Sequence, residues 1–562
     1  MRPSGSLILG LIIFLAAANL FVVGFIKKEH YIYFWDYSIY WENVMTITER
    51  FPKNPYNTIK ELYLSVTVRG DDYNLFPAFL LMPVALCFGS GRLAYILSIV
   101  NVFAFPAAVS FALLNIKLNK LSLRSSPIPP LIAIALVLLS PNFWNPILFG
   151  YLDVGGVAII NTILLLYLRR YFSEQTTRDA VLIGLLIPIL ILFRRWYAFW
   201  AVSFYIASFL EQCCFVSLKS AFRLKSYGRI MLKMILPMSI SALFLVAVAP
   251  TFTFRAVTTN YADIYSAYGT SLFGSIVDII DWVGLLAFSL FLAGTVQAIF
   301  DKTSRRFSLF LSFQWAIMFF LFARTQWISA HHLYLFLPSI LLFSALFLTR
   351  LVSRYGTFVF TAVVLLLTMN FLAGLSADAL WPQKPFSWIL TDSRHSPLVR
   401  NDIEEIDRML DVLSKTLTNF DDRVYVLASS TVLNSSIVRN APLSLNRYAE
   451  ISTKILQTHD LDKRDGFPER LLTANYVIVA DPIQYHLRPS DQRVIGIPAE
   501  MILTGKNIGR SFVKLPYRFE LDRDVKCYIY KKLGEFDSSD LTALAGMLKG
   551  YYPDRPSIYQ IK

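Results

Sequence analysis

A chain of 562 residues, 55% of them hydrophobic, with 53 Lys and Arg against 39 Asp and Glu and a net charge of +14, is too apolar to be a soluble protein. Mean hydropathy is +0.50, and several apolar runs approach the roughly 20 residues that cross a bilayer. The basic excess does not point to nucleic acid, because most basic residues lie in short loops between apolar runs and form no single soluble patch.

Leu7 to Ile26 is the first apolar run. No small-residue cleavage site follows it and more spans come after, so it reads as a retained anchor. Residues 27–91 read as an external loop carrying short interfacial helices. In it Tyr37, Tyr40, Trp41, Val44 and Thr48 fall on one helical face. Thr58-Ile59-Lys60-Glu61 has the form of a capping box opening a second helix, with Gly70 as its stop. Asp71 to Pro77 then lead into a short apolar run ending at Phe88.

Further spans are expected at Leu93–Leu114, Ile128–Ser140, Val154–Leu168, Ala180–Phe193, Trp196–Leu210, Met234–Ala249, Ile276–Phe300, Phe307–Ala323, Leu333–Leu348 and Thr357–Leu375, about eleven with the first. The basic clusters at 117–124, 169–178, 219–233, 302–306 and 350–354 then all fall on one side, the cytoplasmic one. Lys27, Lys28 and the lysines of the first loop run against that rule. An odd number of spans places 376–562 outside as a soluble α/β domain. Its expected strands are Arg423–Ala428, Tyr476–Ala480 and Val525–Tyr530, with a helix over Asn401–Leu417. The fold class is therefore a polytopic α-helical membrane protein, residues 1–375, with a C-terminal α/β domain.

Four features converge on the outer side. The first is Asp36, within Phe34-Trp35-Asp36-Tyr37-Ser38-Ile39-Tyr40-Trp41-Glu42. Trp and Tyr favour a membrane interface, but a carboxylate has no such preference and needs another reason to be there. It is either a helix N-cap or a catalytic acid. Glu42 lies on a different helical face, as a solvated carboxylate or a substrate contact.

The second feature is Asp153, followed by Gly155 and Gly156. The glycines permit close backbone approach and fit a wall of an outer cavity; a cap of the following span is the other reading. The third is Arg194-Arg195 between apolar runs, a costly placement without water, phosphate or carboxylate. A guanidinium forks onto phosphate with two hydrogen bonds. The fourth is Arg324 to Tyr334, which holds the paired His331 and His332 at a span entrance. Asp72, Tyr73 and Tyr334 complete the substrate-facing candidates, and Arg324 joins the phosphate-binding ones.

The four cysteines, Cys87, Cys213, Cys214 and Cys527, have no metal-ligand spacing, and three lie in or beside apolar segments. No metal site is assigned, although a divalent ion stays open. An outward acid, outward arginines and a lipid-embedded body suit a membrane-dissolved phospho-sugar donor, and no nucleotide-binding glycine loop is present.

In these features the sequence resembles the GT-C class of membrane glycosyltransferases, in the branch of the protein O-mannosyltransferases and the lipid A aminoarabinose transferase. The shared marks are the acid after the first span (Phe34-Trp35-Asp36-Tyr37), the aromatic-proline run Tyr73-Asn74-Leu75-Phe76-Pro77, Asp153 and the trailing soluble domain. Phe193–Trp200 and Arg324–Pro338 are similar to bacterial members. The sequence departs from the branch where Tyr37 replaces the expected acid after Asp36 and where one proline stands for two at Pro77; both bear on the acceptor. The resemblance implies an inverting transfer from a polyprenyl-phosphate sugar, no cofactor and no obligatory metal. It also implies a bacterial inner-membrane location with the C-terminal domain periplasmic. A lipid-linked oligosaccharide polymerase or ligase, and a transporter or flippase, are the competing readings.

Overall fold

The computed structural model describes residues 5–69, 73–120, 128–219, 224–375, 389–391 and 396–561. Contacts divide the chain into two compact units. The first comprises Met1–Lys28, Asp36–Thr259 and Thr270–Pro397, the second Glu29–Trp35, Asn260–Gly269 and Leu398–Lys562.

The first unit is helical. Among the described residues, eight of its helices are long and apolar enough to cross a bilayer: Gly5–Ile26, Arg92–Asn119, Tyr197–Phe215, Ile230–Val248, Leu272–Phe300, Arg305–Ala323, Leu337–Tyr355 and Thr357–Leu375. The protein is thus a multi-pass membrane protein. A ninth span is counted if the pair Ile128–Leu138 and Pro141–Leu148, bent by 45°, is one crossing. The bend has a local cause, since proline at 141 disfavours helical backbone at the residue before it. The two other expected spans form helices Val154–Arg169 and Thr177–Phe193, of 16 and 17 residues. These are short of the roughly 20 that a bilayer requires, so the expected count of eleven is not established.

In the first helix, α1 (Gly5–Ile26), Gly10, Phe14, Ala18, Val22 and Phe25 are buried at helical spacing, while Leu9, Ile12, Ile13 and Leu20 are exposed. Hydrophobic residues on both faces with one face packed is the pattern of a helix bordered by lipid.

The helix Leu272–Phe300 is broken at Gly284, where φ is +80°. Residues 389–391 insert at the break. Leu286 donates its N–H to the Ile389 carbonyl (2.9 Å), and Thr391 donates its hydroxyl to the Val283 carbonyl (3.1 Å). A Cβ at position 284 would lie 2.7 Å from the Thr391 nitrogen and 2.8 Å from the Leu390 carbonyl carbon. Gly284→Ala combines a left-handed backbone with this clash and is expected to destabilise the protein by about 1–3 kcal/mol. A thermal midpoint of the detergent-purified variant equal to that of the parent would refute this.

The second unit holds a four-stranded sheet in the order β1-β2-β4-β3: β1 (Val424–Leu427), β2 (Tyr476–Asp481), β3 (Phe512–Leu521) and β4 (Val525–Lys532). β1 and β2 are parallel, and β2–β4 and β4–β3 antiparallel. β1 and β2 are buried almost throughout, hence their continuous hydrophobic runs. β3 was not expected from sequence. It is an edge strand, mostly exposed, contains Pro516 and shifts register between Lys514 and Arg518, so it lacks an alternating signal. Helix Ile403–Thr416 buries Ile406, Met409, Leu410 and Leu413.

Ile32 and Phe34 are buried in the same core as those residues. Their segment is fixed by two backbone bonds of 2.9 Å, His30 N–H to Leu398 O and Arg400 N–H to His30 O. Phe34 and Trp35 are therefore aromatic because they pack within this unit, not because they anchor a membrane interface.

Candidate active site

The second helix, α2 (Asp36–Arg50), begins at Asp36 itself, after Trp35 at φ 47°. Asp36 is thus the first helical residue and not the N-cap. Its side chain is engaged elsewhere: Tyr73 donates its hydroxyl to Oδ1 at 2.5 Å, and Oδ2 lies 3.5 Å from Arg194 Nη2. Asp153 does occupy the N-cap of Val154–Arg169, but its side chain makes no capping bond. Its Oδ1 accepts from Trp196 Nε1 at 3.0 Å and lies 3.3 Å from Arg194 Nε. One guanidinium therefore stands at ion-pair distance from both candidate acids.

Arg194 reaches this position because the chain turns there. Helix Thr177–Phe193 ends, Arg194 is extended (φ −158°, ψ 136°), and the next helix starts at Tyr197. The two glycines after Asp153 receive the rings on either side of the turn. A Cβ at Gly155 would lie 2.3 Å from a Phe193 ring carbon, and one at Gly156 2.3 Å from a Tyr197 ring carbon. They permit the close approach expected of them, but what approaches is the Phe193 and Tyr197 rings, where an outer cavity was expected. Tyr197 then donates its hydroxyl to the Asp153 carbonyl at 2.6 Å. The guanidinium carbon lies 3.8 Å from the Trp196 ring centroid, 5.0 Å from that of Tyr40 and 5.1 Å from that of Tyr73. Each of these ring faces attracts a cation.

Two further residues link the segments that carry the acids. Arg92 donates to the Tyr37 carbonyl at 2.7 Å and to the Leu148 carbonyl at 3.3 Å. Tyr95 donates to the Gly150 carbonyl at 2.6 Å. Gly150 has φ +87°, and a Cβ there would lie 2.7 Å from Arg92 Nη1. This joins the start of α2 to the loop that ends in Asp153. Asn74 similarly donates to the Leu192 carbonyl at 2.9 Å, holding the segment that carries Tyr73 against the end of the helix before Arg194.

The remaining candidates divide. His331 stacks on Tyr151 (4.5 Å, 18°) and lies 5.1 Å from the Trp196 ring; His332 meets Trp196 edge-on at 4.9 Å. Gln326 lies 2.9 Å from His332 Nε2, and Ser329 donates its N–H to Nδ1 at 3.2 Å. Burial foremost lowers both imidazoles well below the usual histidine range, with His332 and Arg194 adding to the effect at His331 and Arg194 and Arg195 at His332. Arg195 is half-buried, 5.8 Å from the Trp196 ring centroid.

Tyr334 is fully buried and donates its hydroxyl to the Phe143 carbonyl at 2.6 Å, so its expected substrate contact is replaced by a packing role. Arg324 is exposed at the end of helix Arg305–Ala323 and makes no ion pair with the two acids. Glu42 is half-buried on α2, about 9 Å along the helix from Asp36 at 1.5 Å per residue. Asp72 lies outside the described residues. Among the described residues no group of three His, Cys, Asp or Glu is placed to hold a metal ion.

The two acids differ chemically. The Asp153 side chain is fully buried, and burial pushes its carboxyl well above the usual range, favouring the protonated form. The Asp36 side chain is 21% exposed, so only it can meet a bound hydroxyl and exchange a proton.

Against this geometry stand the comparisons with known proteins. No family model matches the sequence, and no curated protein matches it. Among solved structures, the crystal structure of ArnT from Cupriavidus metallidurans bound to undecaprenyl phosphate aligns over 92% of this chain and 98% of that one, with a TM-score of 0.52 and 12% identity. The fold is of the GT-C class. At that identity the likeness speaks for the fold and leaves the substrates of this chain to its own residues. The cryo-EM structure of the arabinofuranosyltransferase AftD from mycobacteria aligns over 94% of this chain and 40% of that one, at 14% identity and a TM-score of 0.49.

Proposed function

We propose that this chain is an integral membrane glycosyltransferase that moves a sugar from a polyprenyl-phosphate donor to an acceptor hydroxyl at the outer face of a bacterial inner membrane, with 376–562 outside. The observation that carries the reading is the shared guanidinium: Arg194 holds a partly exposed acid, Asp36, and a buried one, Asp153, in a fixed relation. The fold supports it as well, being that of a protein solved with undecaprenyl phosphate.

Asp36 takes the proton of the acceptor hydroxyl as that oxygen attacks the anomeric carbon. The bond from that carbon to the phosphate oxygen breaks, and the polyprenyl phosphate leaves with the electron pair. Arg194 is a positioning residue here, because its guanidinium is already engaged, with Asp36 Oδ2 at 3.5 Å and Asp153 Oδ1 at 3.3 Å. Arg195 then takes the donor phosphate, where a cation stabilises the charge developing on the leaving group.

The test is a panel of radiolabelled polyprenyl-phosphate sugars given to right-side-out and inverted vesicles carrying the protein. Label is expected in an acceptor in the right-side-out vesicles with at least one donor. Label that stays on every donor, or that moves only in inverted vesicles, counts against the proposal.

A further inference from the structure

Asp36 follows directly on Trp35, and the backbone between them is not an ordinary one. Trp35 has φ 47°. For a bulky side chain that conformation is an outlier, and it persists only where the surroundings impose it. The second unit supplies those surroundings, since it contains Glu29–Trp35, while Asp36 opens α2.

The residues before Trp35 are tied down in turn. His30 is held through its N–H and its carbonyl, and Ile32 and Phe34 are buried in the core of that unit. Asn440, itself buried, donates its amide to the Tyr33 carbonyl at 2.9 Å. The Trp35 ring meets Phe34 edge-on at 5.0 Å and lies 5.0 Å from the ring of His486.

His486 is fixed as well. The buried Gln492 accepts from the backbone N–H groups of His486 and Leu487 through its oxygen, at 3.0 and 2.9 Å. Its amide nitrogen therefore faces His486 Nδ1, 2.9 Å away, and the Ser429 hydroxyl stands 2.7 Å from that same ring nitrogen. Nδ1 is thereby the acceptor. The ring proton sits on Nε2, 3.0 Å from the hydroxyl of Tyr268, which belongs to the same unit. An imidazole engaged on both nitrogens is a rigid floor for the indole.

We propose that Trp35 is a positioning residue for Asp36. The C-terminal unit locks its ring and its left-handed backbone, and so fixes the direction in which the chain enters α2 with the acid at its first position. A rotation at residue 35 swings everything that follows it, and misplacing a catalytic group by about 1 Å can cost about 10²-fold in rate. The soluble unit thereby takes part in the transfer through the peptide link between 35 and 36. The inference rests on the glycosyltransferase reading, and one arm of its test uses no donor, so the two fail separately.

The full-length protein in phosphatidylcholine nanodiscs is compared with Trp35→Asn and Trp35→Val. Both lose the indole, but asparagine accepts a left-handed backbone and a β-branched side chain resists it. Hydrogen exchange on peptides covering residues 36–50 needs no donor. It is expected to rise at least about tenfold in Trp35→Val and less in Trp35→Asn. With a donor that the parent turns over, Trp35→Val is expected to have a kcat at least about tenfold below that of Trp35→Asn, per folded molecule. Its donor KM should stay within about twofold of the parent. A purely structural role would lower the amount of folded protein and leave kcat per folded molecule unchanged. Equal exchange or equal kcat in the two variants would overturn the inference, and so would a loss confined to KM. If Trp35→Val does not fold, His486→Ala takes its place, removing the floor under the indole while leaving residues 29–36 unaltered. Parental exchange or parental kcat in that variant would equally overturn the inference.

Discussion

Asp36→Asn is expected to lower sugar transfer by roughly 10²–10⁴-fold, the usual scale of a lost general base. Asparagine keeps the shape and the oxygen that accepts from Tyr73 at 2.5 Å, and removes the negative charge and with it the capacity to take a proton. The ion pair with Arg194 that this substitution weakens is long, at 3.5 Å, and involves a side chain that is 21% exposed, so the thermal midpoint should stay within a few degrees of the parent. Asp153→Asn run in parallel separates the two acids. Burial already favours the protonated form of Asp153, and an amide imitates a protonated carboxyl, so this variant should retain most of the transfer rate. Near-normal turnover in Asp36→Asn together with an inactive Asp153→Asn would exchange their roles.

Arg194→Ala is the second large effect, and it falls on stability as well as rate. The guanidinium is 1% exposed, at ion-pair distance from two carboxylates and surrounded by the rings of Tyr40, Tyr73 and Trp196. Removing it leaves Asp36 without its counter-ion, Asp153 Oδ1 without its neighbour at 3.3 Å, and a void among the rings. The loss should be about 3–5 kcal/mol, as for one partner taken from a buried pair, with transfer falling more than folded protein does. Arg194→Met refills the volume without the charge, and Arg194→Lys restores charge without the planar fork. Both are expected to recover part of the stability, and only Lys part of the activity. A methionine variant with parental stability and turnover would show that the charge does not organise the site.

Asp36, Asp153 and Arg194 were legible in the sequence because an ionised group beside an apolar run is costly and so calls for a reason. Their mutual placement was not, since 36, 153 and 194 are joined only by packing. Trp196 and Tyr40 were hidden because aromatics at a span boundary read as interface anchors, although here their ring faces surround a guanidinium. Arg92 was hidden for a similar reason: an arginine opening a span looks like a flanking charge, yet it binds the carbonyls of Tyr37 and Leu148.

Membrane character was legible throughout, but the span count was not. Hydropathy marks where an apolar run lies and says little about its helical length, and Val154–Arg169 is cut to 16 residues between Asp153 and Arg170. In the second unit the buried strands β1 and β2 were found from their continuous apolar runs. β3, exposed and bulged, carries no comparable pattern.

Activation of an acceptor hydroxyl by Asp36, for direct attack on the anomeric carbon of a lipid-phosphate sugar, is the step on which the proposed function turns. It is tested most directly by the configuration of the new glycosidic bond, read by NMR after incubation with a donor of known anomeric configuration. A single displacement predicts inversion, with one polyprenyl phosphate released for each sugar transferred. Retention of configuration, which requires a covalent intermediate or a second displacement, would contradict the account.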